Sequence, residues 1–157
     1  MEMYRQILRI WEYMTQIGVG RIHMIAYKEF NAELIDEALG IYDRAGWNAY
    51  LGDKEKLIRA FQNSLYILGA FEGTRLVGFI RCVGDGEHIV YVQDLVVDLD
   101  YKRQGIGKTL LHKAMEEFKD VRMFTLITDA NDEVDNAFYR ANGMKTYTDC
   151  DLGGYLR

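Results

Sequence analysis

The stretch Tyr91–Leu111, YVQDLVVDLDYKRQGIGKTLL, joins two kinds of secondary structure through a basic, glycine-containing loop. Val90, Tyr91, Val92, Leu95, Val96 and Val97 make a β-branched, near-continuous apolar run, which predicts a strand covered on both faces. From Ile106 the period changes: Ile106, Leu110, Leu111, Ala114, Met115 and Phe118 recur at helical spacing. Between strand and helix lie Lys102, Arg103, Gln104, Gly105, Gly107 and Lys108. Two glycines let the backbone turn tightly and approach a ligand closely, and the free N–H groups of a helix start point outward. That arrangement favours an anion, a phosphate above all. Lys102, Arg103 and Lys108 add to the field. The plain alternative is a basic strand-to-helix connection with no ligand.

Three phosphate ligands compete for this loop. Gly107-Lys108-Thr109 looks like the end of a P-loop, and Phe124–Asp129 (FTLITD) could pass for a strand ending in a magnesium-binding carboxylate. A P-loop needs a further glycine at the position of Lys102, where a side chain would crowd the wrapping backbone. The dinucleotide fingerprint fails as well, because its third glycine falls on Leu110. The third reading fits. Lys102-Arg103-Gln104-Gly105-Ile106-Gly107 resembles the acyl-CoA pyrophosphate loop of the GNAT superfamily of N-acetyltransferases, Gln/Arg-x-x-Gly-x-Gly/Ala. Lysine in the first position keeps a cation but not arginine's fork of donors. Leu99 stands where many members have proline. Downstream, Phe138-Tyr139-Arg140-Ala141-Asn142-Gly143-Met144 resembles the superfamily's F-Y-x-x-x-G-F element, with methionine last. The asparagine and alanine common before it are replaced by Asp132 and Asp135, with Asn131 one residue away.

The resemblance spans roughly Met24 to the C-terminus and implies an α/β (α+β) fold. Its sheet is mixed, mostly antiparallel and splayed at the centre, with helices on both faces. It implies acetyl-CoA as co-substrate, held by Lys102, Arg103, Gln104, Gly105, Ile106, Gly107, Lys108 and Thr109, by Asn131, and by the backbone of Leu95, Val96 and Val97. Those last three act through main-chain groups; their side chains are expected in the core. Tyr139 is implied as the acid that protonates the CoA sulfur, against the alternative of a tyrosine packed at a helix–sheet seam.

Composition narrows the classes. A chain of 157 residues is one domain by length and can bury a real core. A net charge of −5 argues against a nucleic-acid-binding face and is compatible with a cationic amine. No apolar run is long enough to span a membrane, so no membrane role is expected. Cys82 and Cys150, without a signal-peptide core, suggest a reducing cytoplasm. His23, His88 and His112 are scattered, so no metal is expected.

Residues 1–22 precede the family-like region, 23–157. Met3, Ile7, Ile10, Trp11, Met14 and Ile17 share one helical face, which predicts an amphipathic extension ending at Gly18 and Gly20. It would pack on the domain or on a second subunit; family habit and this helix are the grounds for expecting a homodimer. An upstream start before Met24 is the other reading. His23–Phe30 predicts a first strand. Asn31 is placed to cap the helix carrying Leu34, Ile35, Ala38, Leu39 and Tyr42, and Asp53 to cap a second one. In the resembled fold this region walls the acceptor pocket, so Tyr42, Trp47 and Tyr50 are expected to line it, against a core role for the same aromatics. Leu65–Phe71 and Arg75–Val83 read as paired strands turning at Gly73, and Gly84-Asp85-Gly86 as the next turn. Arg122–Thr128 predicts a strand and Ala130–Asn142 a helix capped by Gly143. Lys145–Thr148 with Gly154–Leu156 predicts a closing hairpin.

Acetyl transfer to an amine needs a neutral nucleophile, donors for the developing oxyanion and a proton for the thiolate. Gln93 and Asp94 interrupt the central strand, and alternation puts them on opposite faces. Asp94 is the candidate base, or a carboxylate that pairs with Arg81 instead. Asp129, at a strand end, is the reserve candidate on the substrate side. The reading is a small primary amine as acceptor in a ternary complex. Its alternatives are a non-catalytic acyl-CoA-binding regulatory module and a transferase acting on protein N-termini or lysines.

Overall fold

A computed structural model describes residues 24–157; the amphipathic extension expected over 1–22 lies outside them. Strand β1 (Ile25–Glu29) ends at Asn31, whose side chain accepts from the Glu33 N–H at 2.8 Å and opens a 3-10 turn running into α1 (Ile35–Arg44). Gly46, in the left-handed region, breaks that helix. A 3-10 turn over Asn48–Tyr50 then leads to α2 (Lys54–Gln62), where Asp53 accepts from the Lys56 N–H at 2.9 Å. Both capping assignments made on the sequence hold.

Strands β2 (Tyr66–Glu72), β3 (Arg75–Gly84) and β4 (Ile89–Val97) follow as a meander, then α3 (Ile106–Glu117), β5 (Met123–Thr125) and α4 (Glu133–Ala141). The sheet order is β1-β2-β3-β4-β5, antiparallel except for the parallel β4–β5 pair. Helices cover both faces, as expected. One face carries α1 and α2 around Phe79, whose ring meets Phe30, Tyr42 and Phe61 edge-on or tilted. The other carries α3, with Leu110 and Leu111 packed on Ile80, Val90 and Val92, and Phe138 and Tyr139 of α4 at its margin. Burial on both sides explains why β3 and β4 read as apolar runs instead of alternating.

Three predicted elements are corrected. The strand predicted over Arg122–Thr128 keeps only Met123–Thr125 in the ladder. Helix α4 starts at Glu133, later than predicted, because Asp132 serves as its cap and accepts from the Asp135 N–H at 2.9 Å. The closing hairpin is absent among the described residues. In its place Thr146 and Asp149 bond each other's backbone N–H at 2.9 and 3.2 Å, and a 3-10 turn forms over Thr148–Cys150. Local side-chain bonds of this kind compete directly with strand pairing.

The feature that makes the site is a break in the sheet's continuity. Strands β4 and β5 pair at Ile89 with Met123, Val90 with Phe124 and Tyr91 with Thr125, then part. Two residues on, Arg81 faces Asp94 whereas Cys82 faces Val92, which leaves Gln93 as the extra residue of a bulge. A bulge bends its strand and reverses its facing. Before it, Val90 and Val92 pack toward α3; after it, Leu95 and Val97 do so while Val96 turns toward α1 and α2. The splay implied by the family resemblance is therefore present, and Leu126–Thr128 diverge from β4 across it.

Candidate active site

The parted edge of β4 leads straight into the basic loop. Asp98 closes the strand: its buried carboxylate accepts from Arg44 at 2.6 Å, from Arg75 at 3.2 Å and from the Asp100 N–H at 3.3 Å. Burial raises the pKa of this group, but the bonds from Arg44, Asp100 and Arg75 outweigh that, so its carboxyl lies below the usual range. Two of these partners come from distant parts of the chain, and local sequence pattern has no signal for them. After Asp98 the backbone reaches a left-handed conformation at Arg103 (φ 62°) and again at Gly105 (φ 79°). Gly105 is the N-cap of α3 and brings no capping side chain, so side-chain caps leave the first-turn N–H groups of the helix unclaimed. Lys102, Arg103, Gln104 and Lys108 are exposed around it. Ile106 is core, 2% exposed, and contributes only its backbone N–H; the Thr109 hydroxyl donates to the Gly105 carbonyl at 3.0 Å. A Cβ at Gly107 would project between Val97 and Phe138, at 3.7 and 3.8 Å from them. Bare backbone, a helix N-terminus and clustered cations fit a pyrophosphate. Gly105→Ala forces an L-residue into the left-handed region, so a loss of about 1–2 kcal/mol in stability is expected on urea unfolding.

Across the splay, Tyr139 of α4 lines a cavity of about 660 Å³ together with Leu126, Ile127, Thr128, Met144 and Tyr147. Neither Asp94 nor the Lys102–Thr109 loop forms part of that wall. The cavity is thus the Tyr139 side of the site, and the cradle lies outside it. Burial, then the charge of Asp135, push the Tyr139 hydroxyl up to about 12, so it stays protonated at neutral pH. The charge of Lys102 reaches Asp135 and partly offsets the rise that burial and Asp132 impose on that carboxyl, which links the cradle electrostatically to the start of α4.

Asp94 lies at the centre of a buried polar group. Its Oδ2 accepts from Arg81 Nε at 2.5 Å and from the Tyr42 hydroxyl at 2.8 Å; its Oδ1 accepts from the Tyr50 hydroxyl at 2.5 Å. The carboxylate is 1% exposed. Burial alone would lower the Arg81 pKa, but the facing carboxylate raises it, and the guanidinium stays charged. Of the two roles weighed for Asp94, pairing with Arg81 is the one the geometry contains; three donors and 1% exposure set the carboxylate away from solvent. Tyr42, expected along the acceptor pocket, is fully buried between α1 and the sheet, so that expectation is corrected. Its ring stacks on Tyr50 at 4.4 Å and on Trp47 at 5.8 Å. Trp47 and Tyr50 are half-buried and remain at the surface of this wall. Asp129 and Asn131 are exposed and form one turn, the Asp129 side chain accepting from the Asn131 N–H at 2.8 Å. Neither lines the cavity.

No described helix is long and apolar enough to cross a membrane, and no cluster of metal-ligand residues occurs among the described residues. The sequence profile of the acetyltransferase (GNAT) family matches residues 27–144. The chain is 29% identical over 145 residues to an uncharacterized N-acetyltransferase, ycf52, of Porphyra purpurea, covering 90% of this chain and 80% of that protein. A GNAT family acetyltransferase from Streptococcus pneumoniae TIGR4 superposes with a TM-score of 0.75 at 36% identity, over 85% of this chain and 97% of the other. The PaiA N-acetyltransferase of Thermoplasma acidophilum, solved in complex with coenzyme A, shares the fold with a TM-score of 0.65 at 23% identity, over 78% and 90% of the two chains. A profile match across most of the described chain, on a sheet that parts beside a glycine-capped helix, places this protein in the GNAT family of acetyltransferases.

Proposed function

We propose that the protein transfers the acetyl group of acetyl-CoA to the primary amine of a small molecule, by direct attack within a ternary complex. The observation that carries this reading is the edge of β4 left unpaired among the described residues, which runs from the bulge at Gln93 toward the start of α3, where Gly105 brings no capping side chain. Main-chain groups of Leu95, Val96 and Val97 would hold the pantetheine arm as a further strand would be held. The N–H groups from Gly105 to Lys108, with the charges of Lys102, Arg103 and Lys108, would hold the pyrophosphate. Gln104 and Thr109 of the loop, and Asn131 of the turn before α4, would add polar contacts to the cofactor. When bound, acetyl-CoA supplies an acyl group activated as a thioester.

The chain's own groups then have separate tasks. A backbone N–H beside the bulge is a rigid donor for the charge that develops on the acyl oxygen. Tyr139, kept neutral by burial, holds a proton for the departing sulfur. We assign Asp94 to anchoring the strand through Arg81, and the proton that the amine sheds passes to solvent, from which Tyr139 is reprotonated. Trp47, half-buried on the turn before α2, and Asp129, in the turn before α4, are the side chains assigned to the acceptor.

Calorimetric titration with acetyl-CoA, with ATP and magnesium as the paired control, tests the reading. Saturable acetyl-CoA binding without ATP binding is expected; ATP binding alone would overturn it. Gly107→Leu places a branched side chain between Val97 and Phe138. It is expected to abolish the acetyl-CoA heat while the circular dichroism spectrum is retained. Thiol release with n-butylamine then separates a transferase from a module that only binds the acyl donor.

A further inference from the structure

The buried carboxylate of Asp94 is connected through the Tyr50 hydroxyl to an exposed side chain. Gln93, the exposed bulge residue, donates from Nε2 to the Tyr50 hydroxyl at 3.0 Å, and that hydroxyl bonds Asp94 Oδ1 at 2.5 Å. The direction of each bond follows from chemistry. A carboxylate paired with Arg81 only accepts, so the one hydroxyl proton of Tyr50 is committed inward. Of the two lone pairs on Tyr50 Oη, the Gln93 amide fills one. What remains is acceptor capacity alone.

The same residue joins two elements that have no sequence proximity. Tyr50 closes the 3-10 turn Asn48–Tyr50 between α1 and α2, and Gln93 and Asp94 are the bulge of β4. Stacking of Tyr50 on the fully buried Tyr42 ring orients the plane of its ring, and the two polar bonds hold its tip. Elsewhere around the turn, backbone bonds tie Trp47 to Tyr42 in the last turns of α1, and Leu51 to Asn48 within the connection. Through the Tyr50 hydroxyl, the turn bonds to the central strand.

We propose that Tyr50 is a positioning residue that clamps the Trp47–Leu51 turn to the bulge of β4 and offers only hydrogen-bond-accepting capacity to the acceptor, thereby favouring an N–H donor. The second half of this statement rests on the transferase reading; the first does not. A string that begins at the bulge and ends in the turn makes the acceptor wall and the acyl-holding strand one mechanical unit. Loss of the hydroxyl alone would separate them while the aromatic stack stays in place.

The test is Tyr50→Phe, which keeps the ring and removes Oη, beside Gln93→Ala, which removes only the outer bond. Hydrogen exchange of the ligand-free proteins reads the clamp directly. Amides of residues 48–51 and 92–94 are expected to exchange about tenfold faster in Tyr50→Phe, and by a smaller factor in Gln93→Ala, with β2 and α3 unchanged. With acetyl-CoA saturating and n-butylamine as acceptor, KM for the amine is expected to rise about tenfold while kcat and the acetyl-CoA Kd stay within twofold. Wild-type exchange at residues 48–51 in Tyr50→Phe overturns the clamp. Equal losses in amine KM and acetyl-CoA affinity overturn the specificity half. A wild-type protein that binds no acetyl-CoA defeats the transferase reading and with it the specificity half, and the exchange data still decide the clamp.

Discussion

Arg81→Met is expected to cost about 3–5 kcal/mol of folding stability, the largest effect of any single substitution considered for this chain. The reason is asymmetry. Arg81 and Asp94 are both out of water, with side-chain exposures of 4% and 0%, and their pairing compensates a desolvation cost that neither could meet alone. Methionine keeps the length of the side chain and removes the charge, so Asp94 is left buried with only the hydroxyls of Tyr42 and Tyr50. The guanidinium also lies 5.3 Å from the Phe61 ring centroid and bonds the Ser64 hydroxyl at 3.2 Å, so three elements lose a shared contact. Urea unfolding should show a midpoint lower by about 2 M with little change in slope. A loss below about 1 kcal/mol would mean that water reaches the pair. Asp94→Asn combined with Arg81→Met should be no worse than Arg81→Met alone, because the unpaired charge is then gone.

Tyr139→Phe is expected to lower turnover by about 10²–10⁴-fold with acetyl-CoA affinity within twofold of wild type. Phenylalanine preserves the packing of the ring, which lies 5.2 Å from Phe138 at the margin of the α3 layer, and removes only the hydroxyl. Stopped-flow thiol release with calorimetry on the same samples separates the two quantities. The pH profile supplies a second check with a definite sign. Burial and Asp135 raise the Tyr139 pKa to about 12, so the proton needed by the thiolate is present throughout the neutral and mildly alkaline range. Loss of the Tyr139 proton should therefore limit turnover only as pH approaches 12. An alkaline limb below pH 10 that vanishes in Tyr139→Phe would contradict the raised pKa, and turnover unchanged in Tyr139→Phe would contradict the role as acid.

Most of the fold was legible because its signals are local. The strand at Tyr91–Val97, the period change at Ile106, the caps at Asn31 and Asp53 and the left-handed Gly143 each depend on neighbours within a few residues. The loop's local form was legible for the same reason: a helix start without a capping side chain, flanked by cations, is a property of six consecutive residues. The closing hairpin failed because apolar alternation over Lys145–Leu156 competes with the Thr146–Asp149 bonds, and periodicity does not weigh that competition.

The sequence by itself determined the family, the order of elements as far as the last helix, and the place of the basic, glycine-containing loop. Only the tertiary structure decided where β4 leaves β5, that Asp94 is an anchor paired with Arg81, and that Tyr42 is core while Tyr50 reaches the surface. The physical reason lies in separation. Asp94 takes its partners from 13, 44 and 52 residues away, and a carboxylate's role is set by which donors folding brings to its two oxygens.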